Sequence, residues 1–99
     1  MKTIMELNEA QQLLLIQVEG ELTFTTHIPV DDISTKFSEI KNVTVNLANC
    51  NYIDSSGLGF LLVLRDKFKL SRKIRIENAN DLVLEKLRIT NFHKLFNIP

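Results

Sequence analysis

Ninety-nine residues, 44% of them hydrophobic, are enough for one core and too few for a second, so a single domain over residues 1–99 is expected. Twelve Lys and Arg against twelve Asp and Glu leave no net charge, which excludes a chain drawn as a whole to nucleic acid or to an anionic membrane. A lone Cys50 excludes an internal disulfide, and with no signal peptide or membrane-length apolar stretch the chain is expected to be cytoplasmic, without membrane insertion.

In chain order, Thr3 to Asn8 predicts a first strand, followed by a hairpin turn at Asn8-Glu9-Ala10. Gln12 to Glu19 carries Leu13, Leu14, Leu15, Ile16 and Val18 and predicts a central strand that Gly20 ends. Glu21 to His27 predicts a polar connection to Pro29, a natural helix start. Val30, Ile33, Phe37 and Ile40 then recur at helical spacing, predicting a first helix over Pro29–Ile40 with its apolar stripe on the sheet.

Val43, Val45 and Leu47 alternate with Thr44 and Asn46, the period of a strand with one buried face. From Leu58 the period changes: Leu58, Phe60, Leu61, Leu62, Val63, Leu64 and Phe68 predict a helix, largely buried in its first turns. At the join stand Asp54, Ser55 and Ser56, short oxygen-bearing residues that cap helix N-termini, so the helix should begin near Asp54 or Ser55. Hydroxyls at the positive end of a helix macrodipole, with Gly57 and Gly59 lacking a Cβ to shield them, suit a phosphate group. The same residues also suit a plain cap, with the glycines only letting the helix pack closely on its strand. Cys50, among small residues at a strand end, is expected to be a packed thiol.

Around the end of this helix, Arg65, Lys67, Lys69, Arg72, Lys73 and Arg75 predict a solvated helix face and an exposed strand edge, with a site for an acidic partner as the alternative. Lys73 to Glu77 predicts a short strand with Ile74 and Ile76 inward, and Asn78 to Asn80 a turn that caps a third helix bearing Leu82, Val83, Leu84 and Leu87. Asn91 is placed to adopt the left-handed conformation that closes that helix. Phe92, Leu95, Phe96 and Ile98 complete the fold. The resulting order is α/β, a mixed β-sheet with helices covering mainly one face.

Catalytic patterns are missing from these residues. Neither Ser55 nor Ser56 has glycine two residues before and two after, as a nucleophile elbow needs. His27 and His93 are expected at the surface. Gly57-Leu58-Gly59 lacks the third glycine of a dinucleotide fingerprint, and one cysteine with two distant histidines does not make a metal site. A chain without catalytic activity, cofactor or metal is therefore expected.

The run Tyr52-Ile53-Asp54-Ser55-Ser56-Gly57-Leu58-Gly59-Phe60-Leu61-Leu62 resembles the signature of the STAS domain, the family named for sulfate transporters and anti-sigma factor antagonists. Gly20-Glu21-Leu22 resembles its early strand-end motif, and Leu87 to Ile98 its closing segment. The resemblance implies a stand-alone antagonist, expected as a monomer, that is phosphorylated on the serine after the aspartate, here Ser55 with Ser56 as fallback. It also implies a serine kinase or anti-sigma-like factor and a serine phosphatase as partners. The implied binding surface comprises Asp54, Gly57, Leu58 and Phe60, with Glu21, Thr23 and Phe24 from the preceding loop. Thr23 and Phe24 stand where antagonists commonly carry charged residues; Phe24 either offers an apolar contact or folds into the core. A different class is implied by other members: a constitutive accessory subunit of a lipid-transport complex, docking on a transporter ATPase without phosphorylation.

Overall fold

The computed structural model describes residues 2–23, 40–68 and 73–99. Strand β1 (Lys2–Asn8) runs antiparallel to β2 (Leu13–Leu22), joined by a turn in which Gln11 N donates to Asn8 Oδ1 at 3.1 Å and Gln12 takes a positive φ of 52°. Strand β3 (Asn42–Asn46) lies parallel to the first half of β2, and β5 (Arg75–Glu77) lies parallel to β3. Between them in sequence comes β4 (Cys50–Ile53), parallel to the end of β2. The five strands form a mixed sheet in the order β1-β2-β3-β5, with β4 beside β2. Helix α1 (Ser55–Lys67), helix α2 (Asp81–Ile89) and a 3-10 turn (Phe92–Lys94) complete the described chain.

Residues alternate faces along each strand, and the register brings Leu14 beside Val43, Ile16 beside Val45, and Val45 beside Ile76. All five are buried, together with Leu61 and Leu64 of α1 and Val83 and Leu87 of α2. Leu13, Leu15, Gln17 and Thr44, on the opposite face, are only half-buried. The described helices thus cover one face of the sheet. Fully burying a Leu or Ile side chain is worth about 1.5–3 kcal/mol, so this single layer carries most of the stability.

Gly20 does not end β2. The strand continues through Glu21 to Leu22, which is fully buried, where the sequence predicted a polar connection. The physical reason is a change of partner: β2 pairs with β3 as far as Gln17, then with β4 from Gly20, with a register shift between Gly20 and Glu21. At φ 90° Gly20 takes the left-handed backbone this shift requires. Strand β4 is also absent from the predicted order. Its four residues follow a turn closed by Cys50 N donating to Leu47 O at 3.0 Å and Ala48 N to Asn46 Oδ1 at 2.9 Å.

Ile74 and Ile76 face inward as predicted, Asn80 caps α2 by accepting from Val83 N at 2.9 Å, and Asn91 is left-handed at φ 62°. Phe92 and Phe96 stack with ring centroids 5.5 Å apart. Asn97 then bridges the outer edge of β5, its carbonyl accepting from Ile76 N and its N–H donating to Ile74 O, both at 2.9 Å. The predicted first helix lies outside the described residues except for Ile40, which is buried; Phe24, His27, Lys69 and Arg72 also lie outside them. Arg65, Lys67, Lys73, Arg75 and His93 are exposed.

Candidate functional site

Strand β4 delivers the chain to the start of α1 through one residue. Ile53 is fully buried and anchors the turn; Asp54 is extended, at φ −117° and ψ −174°, and is the N-cap. Its Oδ1 accepts from Gly57 N at 3.0 Å and from the Ser56 hydroxyl. The N–H of Gly57, one of the donors that a helix start leaves without an internal partner, is thereby satisfied by the same carboxylate oxygen that holds the Ser56 hydroxyl.

These hydrogen bonds favour the charged form. The Ser56 hydroxyl first, then the Gly57 N–H, with the Lys86 ammonium adding a smaller attraction, hold the Asp54 carboxyl below its ordinary value of 3.8. A carboxyl whose pKa is lower folded than unfolded contributes stability that is fully present above the unfolded value and is lost as pH falls through the folded one. Asp54→Asn keeps a side chain able to cap but cannot ionise. The variant should melt below wild type at neutral pH, and the gap should close as pH drops below about 4. Thermal unfolding of both proteins from pH 7 downward tests this; a gap independent of pH would remove the ionised cap.

Ser55 and Ser56 are separated by geometry. Ser56 is half-buried and its hydroxyl is committed to Asp54, whereas Ser55 is exposed and its hydroxyl has no hydrogen-bond partner among the described residues. The two glycines differ as sharply. A Cβ on Gly57 would lie 2.1 Å from the Leu22 carbonyl oxygen and 3.0 Å from Ile53 Cγ1, so the first turn of α1 is pressed onto the ends of β2 and β4. A Cβ on Gly59 would meet nothing within 4 Å. Close packing explains Gly57 and leaves Gly59 unexplained.

On α1, Gly57, Leu61 and Leu64 face the core, with Phe68 following at the same spacing. Leu58 and Phe60 are half-buried and pack against that core. They do not form one patch: two residues apart on a helix, they sit on opposite flanks. Ser55, Leu58, Gly59 and Leu62 share one flank by their spacing of three, four and seven. Leu62 is 41% exposed and Val63, on the other flank, 49%. Neither was singled out from the sequence. Their signal was the length of the apolar run, which holds more large side chains than one helix face can bury. Thr23, expected on the implied binding surface, follows the end of β2 and is buried at 7% exposure; Glu21 is exposed. Phe24 lies outside the described residues.

Two further residues converge on the turn. Lys86 of α2 donates from Nζ to the Ile53 carbonyl at 2.9 Å and lies 4.6 Å from the centroid of the Tyr52 ring, which is 38% exposed. Thirty-three residues separate Lys86 from Ile53, and no local pattern marks the pair. Cys50 is buried, its thiol donating to Tyr52 O. Among the described residues no group of three His, Cys, Asp or Glu could hold a metal, and no helix is long and apolar enough to cross a membrane.

The chain matches the family model of the STAS domain over residues 5–99. It is 36% identical over 89 residues to a STAS-domain-containing protein of Pseudomonas aeruginosa, with 88% of each chain covered. Among solved structures it is similar to the anti-sigma factor antagonist SpoIIAA in its unphosphorylated form, at 17% identity and a TM-score of 0.64, over 89% of this chain and 83% of that one. It is likewise similar to the Bacillus cell fate determinant SpoIIAA in its phosphorylated form, at 16% identity and a TM-score of 0.61, over 99% of this chain and 91% of that one. At these identities the structural likeness establishes the α/β fold.

Proposed function

The chain belongs to the STAS domain family, and from that premise we propose that it is a protein-binding regulator, without catalytic activity of its own, switched by reversible phosphorylation of Ser55. The observation that carries the proposal is the placing of Ser55. It is exposed, its hydroxyl has no partner among the described residues, it follows an ionised aspartate, and it heads the flank of α1 on which Leu58 and Leu62 stand. A kinase can reach that oxygen without disturbing the cap, whereas phosphate on Ser56 would break the hydroxyl's bond to Asp54. The likeness to an anti-sigma factor antagonist solved in both unphosphorylated and phosphorylated forms supports the same mechanism.

The partner surface is the outer flank of α1's first two turns, Ser55, Leu58, Gly59 and Leu62, with Asp54 behind it and Glu21 near the end of β2. A protein packing there buries apolar side chains around a polar centre, the usual anatomy of a specific interface. The unmodified protein binds a serine kinase or anti-sigma-like factor; phosphate blocks binding, and a serine phosphatase restores it. Affinity capture from the native cell with wild-type and Ser55→Ala protein, followed by mass spectrometry of bound proteins and phosphosites, tests the proposal. A partner retained by Ser55→Ala and depleted on phosphorylated wild type is expected. Identical capture, with no phosphate on Ser55 under any growth condition, would make the chain a constitutive subunit instead.

Leu62 tests the surface independently of phosphate. Because it is exposed, Leu62→Glu should leave the melting temperature within a few degrees of wild type and weaken partner binding by about tenfold or more, the loss typical of an apolar anchor. Undiminished binding would move the interface off this flank.

A further inference from the structure

Lys86 is held in a way that leaves its charge unspent. Its ammonium donates to one neutral carbonyl, that of Ile53, and rests against the half-open face of Tyr52. Among the described residues it makes no salt bridge. The carbonyl it touches belongs to the residue just before Asp54, so the charge stands two residues upstream of Ser55, and the nearby Asp54 carboxylate feels it. A neutral carbonyl and a partly exposed ring are modest partners for an ammonium, together worth far less than a phosphate dianion at contact distance. Lysine also has four rotatable carbon–carbon bonds, and this side chain is only half-buried, so its head can move several ångströms without shifting α2.

We propose that Lys86 is the counter-charge for phosphate on Ser55: once that oxygen carries a phosphoryl group, the ammonium swings from the Tyr52 ring to pair with the dianion. The inference rests on the reading of Ser55 as the modified residue. It specifies how the modified state is held in the free protein and which residue competes with a partner for the phosphate. Among the described residues, the groups that face the phosphate are the Asp54 carboxylate, which repels it, and the N–H end of α1's macrodipole and Lys86, which attract it. No acidic residue lies in the first turn of α1. Among the described residues Lys86 is the one attracting group with a full charge, so it sets the ionisation of the phosphate more than the backbone does. The pairing also uncovers the Tyr52 ring, so the modified protein presents a different surface between β4 and α2 as well as an added charge.

The test uses protein with phosphoserine installed at position 55 during translation, which needs no kinase, and follows the second ionisation of the phosphate by phosphorus NMR. In wild type it should lie below the ordinary value near 6; Lys86→Met, which keeps the apolar stem, should raise it by at least about half a unit, and Lys86→Arg should keep it low. A Lys86 that merely struts α2 against β4 would alter the melting temperature in both variants and leave the ionisation unmoved. Should Lys86→Met fail to fold, the lysine side-chain resonances of the native chain serve instead. Phosphorylation should shift those of Lys86 and leave those of Lys41 and Lys73 in place. Equal phosphate ionisation in wild type and Lys86→Met, or unmoved Lys86 resonances, would overturn the pairing. Neither result depends on a binding partner: the switch fails if phosphate leaves partner affinity unchanged, whether or not Lys86 holds the phosphate.

Discussion

Ser55→Asp is expected to weaken binding of the regulatory partner by about two orders of magnitude while leaving the fold intact, and Ser55→Ala to bind permanently. The fold is spared because position 55 opens α1, where a negative charge meets the macrodipole and unpaired N–H groups, and because the first turn holds no other acid to repel it. Repulsion from Asp54 offsets part of that gain, so the melting temperature should move by only a few degrees. The interface is not spared. A partner packed along Leu58 and Leu62 would cover the new carboxylate, and an uncompensated charge stranded in an interface commonly costs several kcal/mol, each 1.4 kcal/mol being tenfold in affinity. Phosphoserine, with a charge near −2, should act more strongly still. Calorimetry of the partner with both variants decides the matter. Equal affinities would sink the switch, and a melted Ser55→Asp protein would show that charge acts through folding instead.

Gly57→Ala should be the most damaging single-methyl change at the site. The added carbon would stand 2.1 Å from the Leu22 carbonyl oxygen, a backbone atom held in the sheet, so no side-chain rotation relieves the clash. Either α1 lifts from β2 or the end of β2 gives way, and both uncover the buried pair Leu22 and Ile53. Forced overpacking of this kind costs on the order of 3 kcal/mol, a large part of the 5–15 kcal/mol that holds a typical domain together. Urea unfolding should show the midpoint falling accordingly. Gly59→Ala is the internal control. With open space around the new methyl and the better helix propensity of alanine, it should be neutral or stabilising by up to about 1 kcal/mol. If Gly59→Ala folds well yet binds its partner poorly, the missing side chain at 59 serves the partner's close approach. A Gly57→Ala protein as stable as wild type would show that the helix start is not pressed onto β2.

Local chemistry was legible wherever one residue's own preference decides the outcome. Asp54 caps because its side chain reaches the N–H three residues on, Asn91 turns left-handed because asparagine tolerates it, and Ile74 and Ile76 alternate inward because one face of their strand is covered. Where a partner distant in sequence decides, the residues gave little sign. Gly20 looks like a strand end and is a change of pairing, a distinction that depends on β4 lying thirty residues on. β4 itself is too short to show a period, with Asn51 and Tyr52 both exposed between buried Cys50 and Ile53. Thr23 looks polar and peripheral, yet it is buried just past the end of β2. Lys86 reaches the site only through the packing of α2 on β4. The apolar run of α1 was recognised as a helix, but which of its leucines face water followed only from seeing Gly57 and Leu61 pressed to the core.

The attachment of the α1 start to the end of β2 has a bearing on timing. The turn that carries Ser55 is clamped between Gly57, in contact with the last residue of the longest strand, and Ile53, whose strand hangs on that same segment after Gly20. Moving this backbone would mean unzipping β2 from β4, an opening on the scale of local unfolding and correspondingly slow and rare. A phosphate at Ser55 would therefore announce itself through side chains alone, which rearrange in nanoseconds or less. On that footing a switch at Ser55 would have no mechanical lag and no memory: its speed would be that of the enzymes that write and erase the mark, and its state at any moment their running balance.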